Sequence, residues 1–246
     1  MTSETKLWFG RTLFRIKALV SFGDIEAGEL GGFVEKEENL EQSGNAWVYG
    51  DALVSGNARV YGDALVSGDA LVSGNAWVSG DARVSGNAWV YGNAWVSGDA
   101  LVSGNAWVYG DALVSGNARV YGDARVSGDA LVSGDALVSG DAWVYGDARV
   151  LSCKHVAWFS NVGSEDGTLT AYTTKQNNIE ITRGCFRGSL EEFEAAVAKH
   201  HGESDFGKQY VTLVQYIKLR FLGVTVDLEV EAATDAAPAD TEADDD

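Results

Sequence analysis

From Gly44 to Leu151 one hexapeptide, Gly-(Asp/Asn)-Ala-x-Val-(Ser/Tyr), recurs eighteen times without insertion or deletion, its valines falling every six residues from Val48 to Val150. A unit this short has one small apolar side. It can bury that side only against another unit in the next coil, which is the logic of a solenoid. On a strand, alternation sends Val inward and its neighbours, x and Ser/Tyr, outward. Gly and Asp/Asn supply a corner, since both tolerate the left-handed backbone region and the Asx side chain bonds nearby backbone. The small Ala turns inward beside that corner. Three hexads close a triangular coil, so the eighteen make about six coils, a prism of ~29 Å at ~4.8 Å per coil.

The unit resembles the hexapeptide-repeat family of left-handed parallel β-helices, which place an aliphatic residue at i and a small one at i+4, as Val48 with Ala52 and Val54 with Ala58 do here. The resemblance implies left-handed winding, against the usual right-handed crossover. The best-known members of that family are acyltransferases that use a histidine near the coil interface between subunits. Here His155, His200 and His201 all lie outside the repeats, and no long loop interrupts the coils to wall a pocket. The expectation is a non-enzymatic protein with no catalytic residue, cofactor or metal site. Cys185, His200 and His201 read as structural residues, Cys185 on a strand, because no orienting partner accompanies them.

The net charge of -18 is unevenly spread. Asp and Glu against Lys and Arg number 8 to 5 in residues 1–43, 11 to 5 in 44–151, 8 to 8 in 152–224 and 9 to 0 in 225–246. The last segment has the one-signed charge and low hydrophobicity of a disordered acidic tail. No window reaches the roughly 18 apolar residues of a membrane helix, and the scattered charges of residues 1–22 do not make a signal peptide. Two cysteines give neither a disulfide framework nor zinc spacing. A cytoplasmic protein without a membrane partner is expected.

Residues eighteen apart share a face, which sorts position x into three columns. The first is Trp47, Leu65, Arg83, Leu101, Arg119, Leu137; the second Leu53, Leu71, Trp89, Trp107, Arg125, Trp143; the third Arg59, Trp77, Trp95, Leu113, Leu131, Arg149. On the second face the Ser/Tyr position adds Tyr91, Tyr109 and Tyr145 beside Trp89, Trp107 and Trp143, with Arg125 placed to stack between rings. An aromatic strip of this length marks an interface. Packing of parallel prisms into a trimer or dimer is the first expectation. Coverage by flanking segments, or a groove for sugar rings, bases or a protein, are the others.

Eleven of the eighteen corners are Asp, including the stacked runs Asp63, Asp81, Asp99 and Asp111, Asp129, Asp147. Such an acidic edge can imitate a nucleic-acid backbone and compete for a basic host protein, without itself binding nucleic acid. Against this, free interchange of Asp and Asn is what turn geometry alone demands.

Solenoid ends need covers. Residues 1–43, with alternating stretches Arg11–Leu19 and Gly31–Leu40, are the expected N-terminal cap. After the repeats (44–151) the hexad phase continues through Val156 and Val162, and residues 152–224 form a small α+β domain. Its strands are Thr168–Thr174 and Ile179–Arg183. A capping box of Ser189 and Glu192 opens a helix to about His201, apolar at Leu190, Phe193 and Val197, and a second helix spans Phe206–Phe221. Both flanks, through Leu30-Gly-Gly-Phe-Val34, Glu38-Asn-Leu40 and Cys185-Phe-Arg-Gly-Ser-Leu-Glu-Glu-Phe193, are similar to a group of phage and prophage proteins without an assigned activity. That resemblance implies a phage-derived protein made inside a bacterium. The expected function is a rigid interaction or display scaffold, with an anti-defence nucleic-acid mimic and a glycan-binding virion accessory as alternatives.

Overall fold

The computed structural model describes residues 1–223. The acidic segment 225–246, expected to be disordered, lies outside the described residues.

Each hexad contributes one two-residue strand, from β4 (Trp47–Val48) to β21 (Arg149–Val150), and strands three apart in sequence pair in parallel. Arg83 therefore pairs with Leu101, Trp89 with Trp107 and Trp95 with Leu113, which is the eighteen-residue register read from the sequence. Two or three backbone donors per hexad tie each coil to the next. Asn87 N–H reaches Gly104 O at 2.8 Å, Trp89 N–H Ala106 O at 2.9 Å and Tyr91 N–H Val108 O at 3.0 Å. Every valine and alanine of the repeat is 0–2% exposed, one continuous core down the prism. The corner glycines are held there by geometry. Gly86 has φ of 68°, and a Cβ on it would lie 3.0 Å from the backbone N and O of Gly104 in the coil above.

An N-terminal hairpin, β1 (Thr5–Trp8) and β2 (Arg11–Lys17), joins β3 (Leu30–Val34), which runs parallel to the Leu53–Val54 strand. Leu40 bridges Val60. This partial coil precedes the six complete ones, giving about seven turns. Asn39, fully buried, stands in for missing backbone donors: its side-chain amide reaches Gly56 O at 3.1 Å and Ala58 O at 2.8 Å. Glu35 and Glu41 accept from Gly56 N–H at 2.6 Å and Gly62 N–H at 2.8 Å.

At the other end the coil stops at Leu151, one correction to the sequence reading. Val156–Val162 does not extend the hexad phase; it is β22, the first strand of an antiparallel sheet with β23 (Gly167–Thr173), β24 (Ile179–Arg183) and β25 (Phe186–Ser189). The reason is that the corner Gly-Asx pair is missing after Leu151, so the chain turns through a short 3-10 segment, Cys153–His155, instead. Tyr172 of β23 is fully buried in the solenoid core as a plug, its hydroxyl donating to Glu180 Oε2 at 3.0 Å. Thr170 Oγ1 accepts from Trp143 N–H at 3.0 Å, while the Thr182 and Thr173 hydroxyls donate to Trp143 O and Arg149 O at 2.8 and 2.7 Å.

Helices α1 (Leu190–His200) and α2 (Asp205–Leu222) pack their apolar sides on this sheet. Ser189 and Glu192 form the expected capping box. Leu190, Phe193, Val197, Tyr210, Val214 and Ile217 are buried there. No described helix is long and apolar enough to cross a membrane.

Candidate functional site

The three outward faces differ in how much of each the ends of the chain cover. On the second face the hairpin curls back over the first coils. Leu13 and Trp8 close over Phe33, Leu53 and Leu71, so these outward apolar residues form a small core of their own with Trp89 at its margin. A groove of about 370 Å³ remains between the hairpin tip, Trp8 and Phe9, and Trp89 with Tyr91. At the far end Arg187 lies 4.0 Å over the Tyr145 ring, and Trp143 packs edge-on against Tyr145 with centroids 6.0 Å apart. The Trp143 indole N–H is buried without a hydrogen-bond partner.

The middle of this face is a pair of stacks. Trp89 lies on Trp107 at 5.2 Å and 7°, and Tyr91 on Tyr109 at 5.0 Å and 1°. Arg125 stacks on Trp107 at 5.2 Å, on one of the two sides the sequence suggested. Burial, with Tyr109 beside it, raises the Tyr91 hydroxyl above its ordinary pKa despite Arg125. Rings stacked along the prism axis show their edges to solvent. They use their flat faces on one another, so little is left for a sugar or base to stack on.

The third face is open, and the sequence reading passed over it. Trp77 and Trp95 are 40% and 43% exposed. Tyr61, Trp77 and Trp95 meet edge to face, at 5.9 Å and 86°, then 5.6 Å and 69°. Both indoles stay well exposed to solvent in this arrangement. Trp95 Nε1–H donates to Ser79 Oγ at 3.3 Å, which holds its ring in place. Leu113 and Leu131 continue the strip half-buried. At its N-terminal end a groove of about 550 Å³ runs between Tyr61 and Trp77 on one side and Glu37, Glu38 and Glu41 on the other, with Arg59 along it. The signal is present in the columns: the third has as long an apolar run as the second, but only one tyrosine, Tyr61, where the second has Tyr91, Tyr109 and Tyr145. The first face alternates Leu and Arg below a Trp47 that Phe22 covers at 5.5 Å.

The corners carry an ordered pattern. Every repeat asparagine donates its amide to the Asx one coil on: Asn45 to Asp63, Asn57 to Asn75, Asn75 to Asn93, Asn93 to Asp111, Asn87 to Asn105, Asn105 to Asp123 and Asn117 to Asp135, at 2.6–3.1 Å. Asp63, Asp81 and Asp99, and likewise Asp111, Asp129 and Asp147, stack at successive corners without such a donor between them. None of these six pairs with a cation among the described residues.

Cys185 sits in the turn between β24 and β25, exposed, and not on a strand as expected; the Gly184 φ of 56° makes that turn. His200 ends α1 and His201 caps it against Tyr210, ring centroids 5.4 Å apart. No group of three or more His, Cys, Asp or Glu among the described residues is arranged to hold a metal ion.

Twelve overlapping segments, together spanning residues 46–146, match a family model described as YdcK Beta solenoid repeat. With the strand register above, this decides the class. The chain is a β-solenoid repeat protein. The match stays within the coils and covers less than half of the chain, so it speaks for the repeat and not for the flanks. No curated protein matches this solenoid.

Proposed function

We propose that this β-solenoid is a non-enzymatic, rigid interaction scaffold, of phage or prophage origin and acting in the bacterial cytoplasm, whose first partner is another copy of itself. The observation that carries the reading is the third face. Trp77 and Trp95 hold about two-fifths of their surface in water on a backbone where every coil is bonded to the next. A contiguous apolar strip on so stiff a support fits a docking surface, since no local rearrangement can withdraw it. The coils run without an inserted loop and display the strip along a straight column, in keeping with the left-handed prisms the hexapeptide pattern resembles.

Size exclusion coupled to light scattering tests this. The full chain is expected as a dimer or trimer at about 50 μM, and Trp77→Ser/Trp95→Ser as a monomer of unchanged circular dichroism. A wild-type mass of one chain contradicts the reading.

The Asp63, Asp81, Asp99 run favours one second reading, an anti-defence inhibitor whose acidic edge imitates a nucleic-acid backbone. It predicts salt-sensitive capture of a basic host protein, lost when these three become Asn. Glycan binding on a virion finds less support, because the second-face rings spend their faces on each other.

A further inference from the structure

The outward column of the third face runs from Arg59 through Trp77, Trp95, Leu113 and Leu131 to Arg149, with a guanidinium at each end and carboxylates gathered at the first. Each residue pairs in register with the next. Its N-terminal end opens into the groove where Glu37 and Glu38 face Tyr61 and Trp77. Its C-terminal end finishes on the exposed side chain of Arg149. Among the described residues, Glu37, Glu38 and Arg149 make no ion pair. One end of the strip is thus an anionic aromatic groove and the other a free guanidinium.

Resting on the self-association proposed above, we infer that a second copy docks antiparallel on this face, with the partner's Arg149 seated in the groove over Trp77. A two-fold axis through Leu113 sets Leu113 against the partner's Leu113 and Trp95 against the partner's Leu131. It also brings each Arg149 to the other chain's Trp77, Glu37 and Glu38. Apolar residues then meet apolar residues, and the cation meets carboxylates and the exposed Trp77 ring, a setting in which cation–π attraction is available. A parallel arrangement on this face does the opposite. It lays Arg59 and Arg149 beside their own copies and the glutamates beside glutamates, and like charges across an interface are repulsive. The antiparallel pair is isologous and closed, so it ends at a dimer. The strip from Trp77 to Arg149 is four coil steps, ~19 Å at ~4.8 Å each. An interface of that length is small, and the association is reversible in the micromolar range. Arg59 also lines the groove and opposes the incoming cation.

Charge reversal read by sedimentation equilibrium tests the docking. Arg149→Glu and Glu37→Arg/Glu38→Arg, each folded by circular dichroism, are expected to weaken self-association at least tenfold, and Arg149→Gln to weaken it in the same direction. An equimolar mixture of the two reversed chains is expected to recover wild-type affinity, because both contacts of the mixed dimer again join opposite charges. Arg59→Gln is expected to tighten the dimer about threefold. A wild-type dimer that Arg149→Glu leaves intact, or a mixture that stays monomeric, overturns this docking while self-association itself stands. A monomeric wild type overturns both.

Discussion

Asn75 donates its side-chain amide to Asn93 Oδ1 at 2.9 Å, one coil further along the corner, and Asn93 passes the pattern on to Asp111 at 2.8 Å. The ladder has a direction, since each amide points toward the C-terminal end. It can start at any Asn and close on an Asp, which accepts and cannot donate. The order of Asn and Asp at the corners is therefore not arbitrary, although either residue suits the turn itself.

Substitutions at these corners are expected to be asymmetric. Asn75→Asp removes a donor and sets a carboxylate against Asn93 Oδ1, and should cost about 1–2 kcal/mol in urea unfolding. Asp81→Asn supplies a donor to Asp99 and relieves repulsion between stacked carboxylates, worth about 1 kcal/mol at ~5 Å in water. It should be neutral or stabilising, with the gain largest at low salt.

In the core, Val102→Ala at mid-prism empties space that neighbouring coils cannot refill, and about 2 kcal/mol of stability should be lost. Gly86→Ala should lose at least as much. Its positive φ costs an L-residue about 1–2 kcal/mol, and the new Cβ meets Gly104 backbone. Thermal melts of the two variants check both, and a Gly86→Ala protein as stable as wild type would refute this account of the corner.

Acid should loosen the N-terminal cap first. Burial works against the Glu35 carboxylate, but Gly56 N–H and Arg11 outweigh it and hold its pKa below the ordinary 4.5. Glu41 is lowered by Gly62 N–H and the Ser43 hydroxyl. A carboxylate whose pKa falls on folding stabilises the fold above its unfolded value and loses that contribution as pH drops through the folded one. Stability should therefore decline below about pH 4.5, and Glu35→Gln/Glu41→Gln should flatten that decline while lowering stability at pH 7. Hydrogen exchange at Gly56 and Gly62 reads the effect locally.

Alkali should act at the opposite end. Burial, followed by the nearby Glu180, pushes the Tyr172 hydroxyl well above its usual 10. An acid whose pKa is raised on folding keeps its contribution below the unfolded value and loses it as pH rises toward the folded one. Unfolding should become easier above about pH 10, and Tyr172→Phe should remove that pH dependence. A Tyr172→Phe protein with the same alkaline profile would contradict the plug.

The coils were legible because one rule, the hexad, sets both burial and register: Val, Ala and Gly each have one job, and eighteen residues later the same job recurs. Helix α1 was legible for a similar reason, its Ser189–Glu192 box being local. Coverage of the second face was not. Alternation in Arg11–Leu19 marks a strand but not what Leu13 lies against, and the docking of Leu13 and Trp8 on Leu53 and Leu71 is a long-range event that no local pattern encodes. Ring orientation was also out of reach. Trp89 and Trp77 occupy equivalent positions in the repeat, yet one stacks flat on Trp107 and the other meets Trp95 edge-on, a choice made by side-chain rotamers and neighbouring Ser or Tyr. The asparagine ladder is visible in the sequence once the corners are sorted by eighteen, because each run of Asn ends on an Asp.

Hydroxyl-radical footprinting across a concentration series tests the scaffold reading most directly, since it reports each tryptophan separately. Protection of Trp77 and Trp95 is expected to rise severalfold between about 1 and 100 μM chain, as a micromolar interface fills, while Trp89, already stacked against Trp107, stays constant. Equal labelling of Trp77 and Trp95 at every concentration would contradict the claim that the third face is where this solenoid meets its partner.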